Sequence, residues 1–174
     1  MIQKPRAPDI AAQRAAMKKL GFLVGEWSGK ASVIVGPGQY VELEQTESAQ
    51  FKVDGLVLVI EGVGRAESDG KVALEALGLI SFDDEAESYR MQAFNYGRWL
   101  ETEVRLDAGV NSISWGFTLG NFKTTTFLRI NENGEWTERG ELFVGDHPPQ
   151  KMMDLTVRRI AVPVVNHAEK PSVN

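Results

Sequence analysis

The chain has 174 residues, 43% hydrophobic and 25% charged, enough for one domain with its own core. It holds no cysteine, which excludes disulfide frameworks, thiolate metal sites and thiol nucleophiles. A net charge of −5 offers none of the basic surface that a phosphate backbone requires, so nucleic acid is not an expected partner.

No apolar run approaches the ~20 residues of a membrane span. The opening Met1-Ile2-Gln3-Lys4-Pro5-Arg6 lacks the apolar stretch of a signal peptide, and the expected location is the cytoplasm. Residues 1–8, with Pro5 and Pro8, read as a flexible lead. Asp9 is placed to N-cap a helix over 9–20 that is rich in helix formers. Lys18 and Lys19 suit its last turn, Gly21 its stop, and Ile10, Met17 and Leu20 form its apolar stripe.

Beyond Gly21 the period changes to two. The alternation predicts ten strands, over 22–35, 40–52, 56–64, 72–82, 88–96, 99–106, 110–117, 122–131, 135–144 and 151–160. Gly36-Pro37-Gly38, Asp69-Gly70 and Asn133-Gly134 are turn signals between them. Connections this short leave no room for crossover helices, so the strands run up and down. Closure into a single ten-stranded antiparallel barrel removes both sheet edges. Residues 161–174, with Pro163 and Pro171, read as an irregular tail, and no second domain is expected.

Alternation also assigns inner faces. The first strand turns Trp27, Gly29, Ala31, Val33 and Val35 inward, and the second Val41, Leu43, Gln45, Glu47, Ala49 and Phe51. Tyr89, Met91, Ala93 and Asn95 share the inner face of the fifth. Ile113, Trp115 and Phe117 share that of the seventh, and Trp136, Glu138, Gly140 and Leu142 that of the ninth. The third, fourth and eighth strands alternate too weakly to assign. An apolar wall carrying Gln45, Glu47, Tyr89, Asn95 and Glu138 is unlike a solid core, which excludes unpaired carboxylates. It suits a small-molecule cavity with a few polar anchors.

The stretch Leu20-Gly21-Phe22-Leu23-Val24-Gly25-Glu26-Trp27-Ser28-Gly29 resembles the opening of the calycin superfamily, in which a short helix leads into a first strand carrying Gly-x-Trp. With Val41 to Glu47, Asp54 to Gly62, Tyr89-Arg90-Met91 and Trp115-Gly116-Phe117, the chain resembles an uncharacterised bacterial family of lipocalin-like domains over roughly residues 17–160. That resemblance implies a fold and a Trp27 packed at the closed end, but no activity. More distantly the chain is similar to fatty-acid-binding proteins, yet Arg158-Arg159 is not followed by their Arg-x-Tyr. It is also similar to the haem barrel nitrobindin, but lacks the last glycine of Gly-x-Trp-x-Gly-x-Gly. Its nearest candidate for the iron histidine is His147, ahead of Pro148-Pro149 in a turn.

Leu43, Gln45, Glu47, Tyr89, Met91, Asn95, Trp115, Phe117 and Glu138 are therefore the expected ligand-binding residues, with Arg129 as a cation for Glu47. The expected ligand is a small, largely apolar molecule, fatty-acid-like in kind, bound without catalysis; a second copy of the chain is a candidate partner. No metal or cofactor is expected. Haem is the first alternative, an enzyme using Glu47 and Glu138 the second, and a filled structural barrel the third. His147 and His167 read as solvated, since neither has an oriented partner nearby in sequence.

Overall fold

The structure is a computed structural model and describes residues 6–95 and 97–160. The predicted tail, with His167, lies outside the described residues, as do the first five residues of the lead.

Helix α1 (Ile10–Lys18) starts as its sequence dictates: the Asp9 carboxylate caps it, accepting from the Ala12 N–H at 3.0 Å. Nine residues are too few for a stable isolated helix, so packing must hold it. Met17, Leu20 and Leu23 are wholly buried, whereas Ile10 is 41% exposed and leaves the predicted stripe. Asp84, on the loop after the fourth strand, clamps the helix start by accepting from the Asp9 N–H at 2.9 Å and Gln13 Nε2 at 2.6 Å.

The strands are β1 (Gly25–Gly36), β2 (Gln39–Lys52), β3 (Val57–Ala66), β4 (Val72–Asp83), β5 (Ser88–Asn95) and β6 (Arg98–Asp107). They continue as β7 (Ser112–Trp115), β8 (Thr118–Leu119), β9 (Phe122–Ile130), β10 (Trp136–Val144) and β11 (Gln150–Arg159). Each pairs antiparallel with its neighbours. β11 pairs with β1 and β10 with β9, so the sheet closes into a ten-stranded barrel in which β7 and β8 are two pieces of one wall strand.

The first strand begins three residues later than expected, because Gly21–Leu23 forms a 3-10 turn. The seventh breaks at Gly116, whose peptide is so near β9 that an added Cβ would lie 2.3 Å from the Thr124 carbonyl oxygen. Thr102 Oγ1 donates to the Gly116 carbonyl at 2.7 Å and Phe117 N–H to Thr124 Oγ1 at 3.2 Å, which satisfies the interrupted ladder. Val35 was expected inside but is 60% exposed, since the β1–β2 register shifts between Ile34 and Gly36 and turns it outward. The unassigned strands resolve with Leu58, Gly62 and Gly64 facing inward on β3, Ile80 on β4, and Thr126 and Leu128 on β9.

Helix α1 covers one barrel end. Beneath it Trp27, 1% exposed, meets Trp136 edge-on at 5.6 Å and donates from Nε1 to the Leu23 carbonyl at 2.9 Å. The Arg159 guanidinium lies 4.1 Å over the Trp27 ring and donates to the Phe22 carbonyl at 3.1 Å and to the Val24 carbonyl. Gly25, at φ +141°, makes this contact possible: a Cβ there would sit 2.4 Å from Arg159 Nη1. Tyr89 completes the seal, donating from its hydroxyl to the Ala16 carbonyl at 2.8 Å and meeting Phe82 edge-on at 4.9 Å.

Candidate ligand site

Toward the opposite end the core gives way to a cavity of about 410 Å³. Trp136 lines it on the side of the Trp27 pair, and Phe94, Arg98 and Leu119 line it near the β5–β6 and β8–β9 hairpin tips. Between them the wall is mostly apolar, with Ile60, Met91, Trp115, Phe117 and Leu155 prominent.

Gln45, Glu47, Asn95 and Glu138 line this space, with the Thr124 and Thr126 hydroxyls and Arg98. β2 alternation puts Gln45 and Glu47 inward, and both are buried. Gln45 Nε2 donates to Glu47 Oε1 at 2.8 Å. Glu138, from β10, accepts from Trp136 Nε1 at 3.3 Å, and Asn95 ends β5. Among the described residues, two buried acceptors, Gln45 Oε1 and Asn95 Oδ1, have no hydrogen-bond partner. Unpartnered buried oxygens are uncommon in folded proteins, and each costs the desolvation it leaves unreturned.

The polar cluster is possible because β3 gives way. A Cβ at Gly62 would lie 2.7 Å from Glu47 Oε2, and one at Gly64 would lie 2.5 Å from Gln45 Oε1. These glycines, two apart on the same inner face, are the pockets into which the two side chains fold.

Burial pushes the Glu47 carboxyl up to about 8, helped by the nearby charge of Glu138 and opposed by the Gln45 hydrogen bond. Burial likewise raises Glu138 to about 7, against the Trp136 N–H. Glu47 is thus sheltered as a neutral acid near pH 7 rather than as an ion paired with a cation. The expectation that Arg129 neutralises it is corrected: with Thr126 and Leu128 inward on β9, alternation turns Arg129 out to solvent.

Of the expected site residues, the structure brings Gln45, Glu47, Met91, Asn95, Trp115, Phe117 and Glu138 to one cavity. Leu43 and Tyr89 face inward but do not line it; Leu43 is wholly buried core, and Tyr89 is committed to the helix end. The sequence reading missed Arg98, Thr126, Gly62 and Gly78. The paired strand glycines 62 and 64 were a readable signal of close approach. Arg98 was not readable, because a residue after a hairpin tip has no face to alternate with. His147 is exposed in the turn between β10 and β11, apart from the cavity lining.

No family model and no curated protein matches the chain. Solved structures do. Rv2717c from M. tuberculosis superposes with a TM-score of 0.62 at 14% identity, over 84% of this chain and 98% of its own. The S-type phycobiliprotein lyase CPES from Guillardia theta superposes with a TM-score of 0.57 at 10% identity, over 91% of this chain and 99% of its own. The fold is lipocalin-like. At these identities the likeness covers the barrel alone, and the resemblance to the bacterial domain family and to nitrobindin rests on motifs without a matching family model.

Proposed function

We propose that this lipocalin-like barrel binds one small, largely apolar molecule in its interior, with the polar head against Gln45, Glu47, Asn95 and Glu138. The observation that carries the reading is the 410 Å³ cavity, of the size usual for ligand sites, whose mostly apolar lining includes Gln45 and Asn95, each with an unpartnered buried oxygen. The barrel shared with a phycobiliprotein lyase accords with a small-molecule partner.

Titration with N-phenyl-1-naphthylamine, a neutral apolar dye, tests it. The dye's emission should rise and saturate at one equivalent. Gly78 lines the cavity, and a Cβ there would meet nothing closer than 4.0 Å, so Gly78→Leu can start a side chain there and occupy part of the space. That variant should stay folded and lose dye binding; a variant that binds like the parent would contradict the reading.

Acid–base chemistry on a bound molecule is the second reading, favoured by two carboxyls that titrate at about 7 and about 8 in one apolar cavity. Small molecules extracted from cells, incubated with the protein and with Glu138→Gln, would decide it by mass spectrometry. A mass change that needs Glu138 supports catalysis, and recovery unchanged supports binding alone.

A further inference from the structure

We infer that the head group this cavity takes is a cationic hydrogen-bond donor, a protonated amine on a small apolar body, rather than a carboxylate. The inference rests on the ligand-binding reading above and narrows its ligand class.

The cavity wall offers more acceptors than donors. The two buried side-chain atoms without a partner among the described residues, Gln45 Oε1 and Asn95 Oδ1, are both acceptors. Gln45 spends a donor on Glu47, and Trp136 spends its indole N–H on Glu138. The carboxyl oxygens add further acceptors; a protonated carboxyl and the Thr124 and Thr126 hydroxyls bring one O–H each, but every one of these groups also accepts, so acceptors stay in excess. A head group that satisfies this wall must bring several N–H bonds, which an ammonium does with three. A carboxylate brings none and adds a third acidic group to two that already repel each other.

The charged side chains lining the cavity are Glu47 from β2, Glu138 from β10 and Arg98 from β6; the other strands contribute no titratable group among the described lining residues. Arg98 is exposed at the mouth, where it is screened by water. A carboxylate drawn to it would stay outside and leave both inner amide oxygens unmatched.

Entry of an ammonium favours the ionised form of Glu47 and Glu138, so a proton leaves the pair for bulk solvent as the cation arrives. The alkylammonium itself stays charged up to about pH 10, as a lysine does. Amine affinity should therefore rise with pH across the range in which the empty pair still holds protons. A carboxylate ligand would show the opposite slope.

Isothermal titration of the full chain with octylamine, 1-octanol and octanoate, which share one tail, tests this. Octylamine should bind about tenfold or more tighter than octanol at about pH 8, and its affinity should rise about tenfold or more from about pH 6, one proton released giving a factor of ten per pH unit. Its heat should vary with the ionisation enthalpy of the buffer, reporting the released proton. Glu138→Gln should weaken octylamine about tenfold and leave octanol within about twofold; Glu47→Gln, which keeps an amide over Gly62, should do the same. Octanoate binding as tightly as octylamine, or an amine affinity flat or falling with pH, would overturn the inference and leave the ligand-binding reading standing. Failure of all three to bind would overturn both.

Discussion

The two ends of this barrel are built from the same alternating strands and have opposite polar chemistry. At the helix end the sealing polar side chains are matched: Trp27 Nε1 with the Leu23 carbonyl, the Tyr89 hydroxyl with the Ala16 carbonyl, and Arg159 with Phe22, Val24 and the indole face. At the other end the Gln45 and Asn95 oxygens are buried and unmatched, and two carboxyls share an apolar space. Satisfied polar groups fix a structure, and unsatisfied ones mark where a further molecule lowers the free energy. The difference separates the end that holds the fold from the end available to a ligand.

Substitutions can break this contrast, and the largest effect belongs to the closed end. Trp27→Ala removes a fully buried indole, its edge contact with Trp136 and the seat of Arg159, and should destabilise by ~3–5 kcal/mol in chemical denaturation. Trp115→Ala, on the half-buried cavity wall, should cost only ~1 kcal/mol but weaken dye binding. Equal losses of stability would erase the distinction between the ends.

The carboxyl pair gives the next effect, and it depends on pH. Glu47 holds its proton to about 8 in the folded chain, against 4.5 ordinarily. Between those values the folded state binds more protons than the unfolded, so stability falls as pH rises and the loss is complete above about pH 8. Glu138, raised to about 7, acts with the same sign over a narrower window. Glu47→Gln should flatten the curve, raising stability at about pH 9 by a few kcal/mol while changing little at about pH 5. A variant curve parallel to the parent's would mean that Glu47 is ionised in the folded protein.

How much of this was legible in the sequence follows the same division. Strict alternation in β2, with Glu42, Glu44, Thr46 and Ser48 against Leu43, Gln45, Glu47 and Ala49, makes the inner face readable without a structure. The continuous apolar run Leu56-Val57-Leu58-Val59-Ile60 hides the period, so β3 was unreadable by hydrophobicity; only its glycines carried the signal. Tyr89 was placed on the correct face but at the wrong height, since alternation fixes the side of a strand and not the position along the barrel. An ionised Glu47 calls for a cation such as Arg129, and sequence alone does not show the burial that favours the neutral acid instead.

Smaller effects sharpen the contrast. Tyr89→Phe should cost ~1 kcal/mol, the usual net worth of a buried hydrogen bond, with ligand binding unchanged. Glu44→Gln is the outer-face control for Glu47. Its side chain is exposed and ion-paired with Lys30, so the substitution should shift stability by under ~1 kcal/mol and leave the cavity untouched.

The most direct test of the division between the ends is a 15N–1H correlation spectrum of the protein recorded during titration with N-phenyl-1-naphthylamine. The largest shifts should fall on amides of the cavity strands, around Gln45–Glu47, Met91–Asn95 and Trp136–Glu138, while those of Ile10–Lys18 stay in place. Shifts concentrated on the helix and on Tyr89, with the cavity strands silent, would contradict the account.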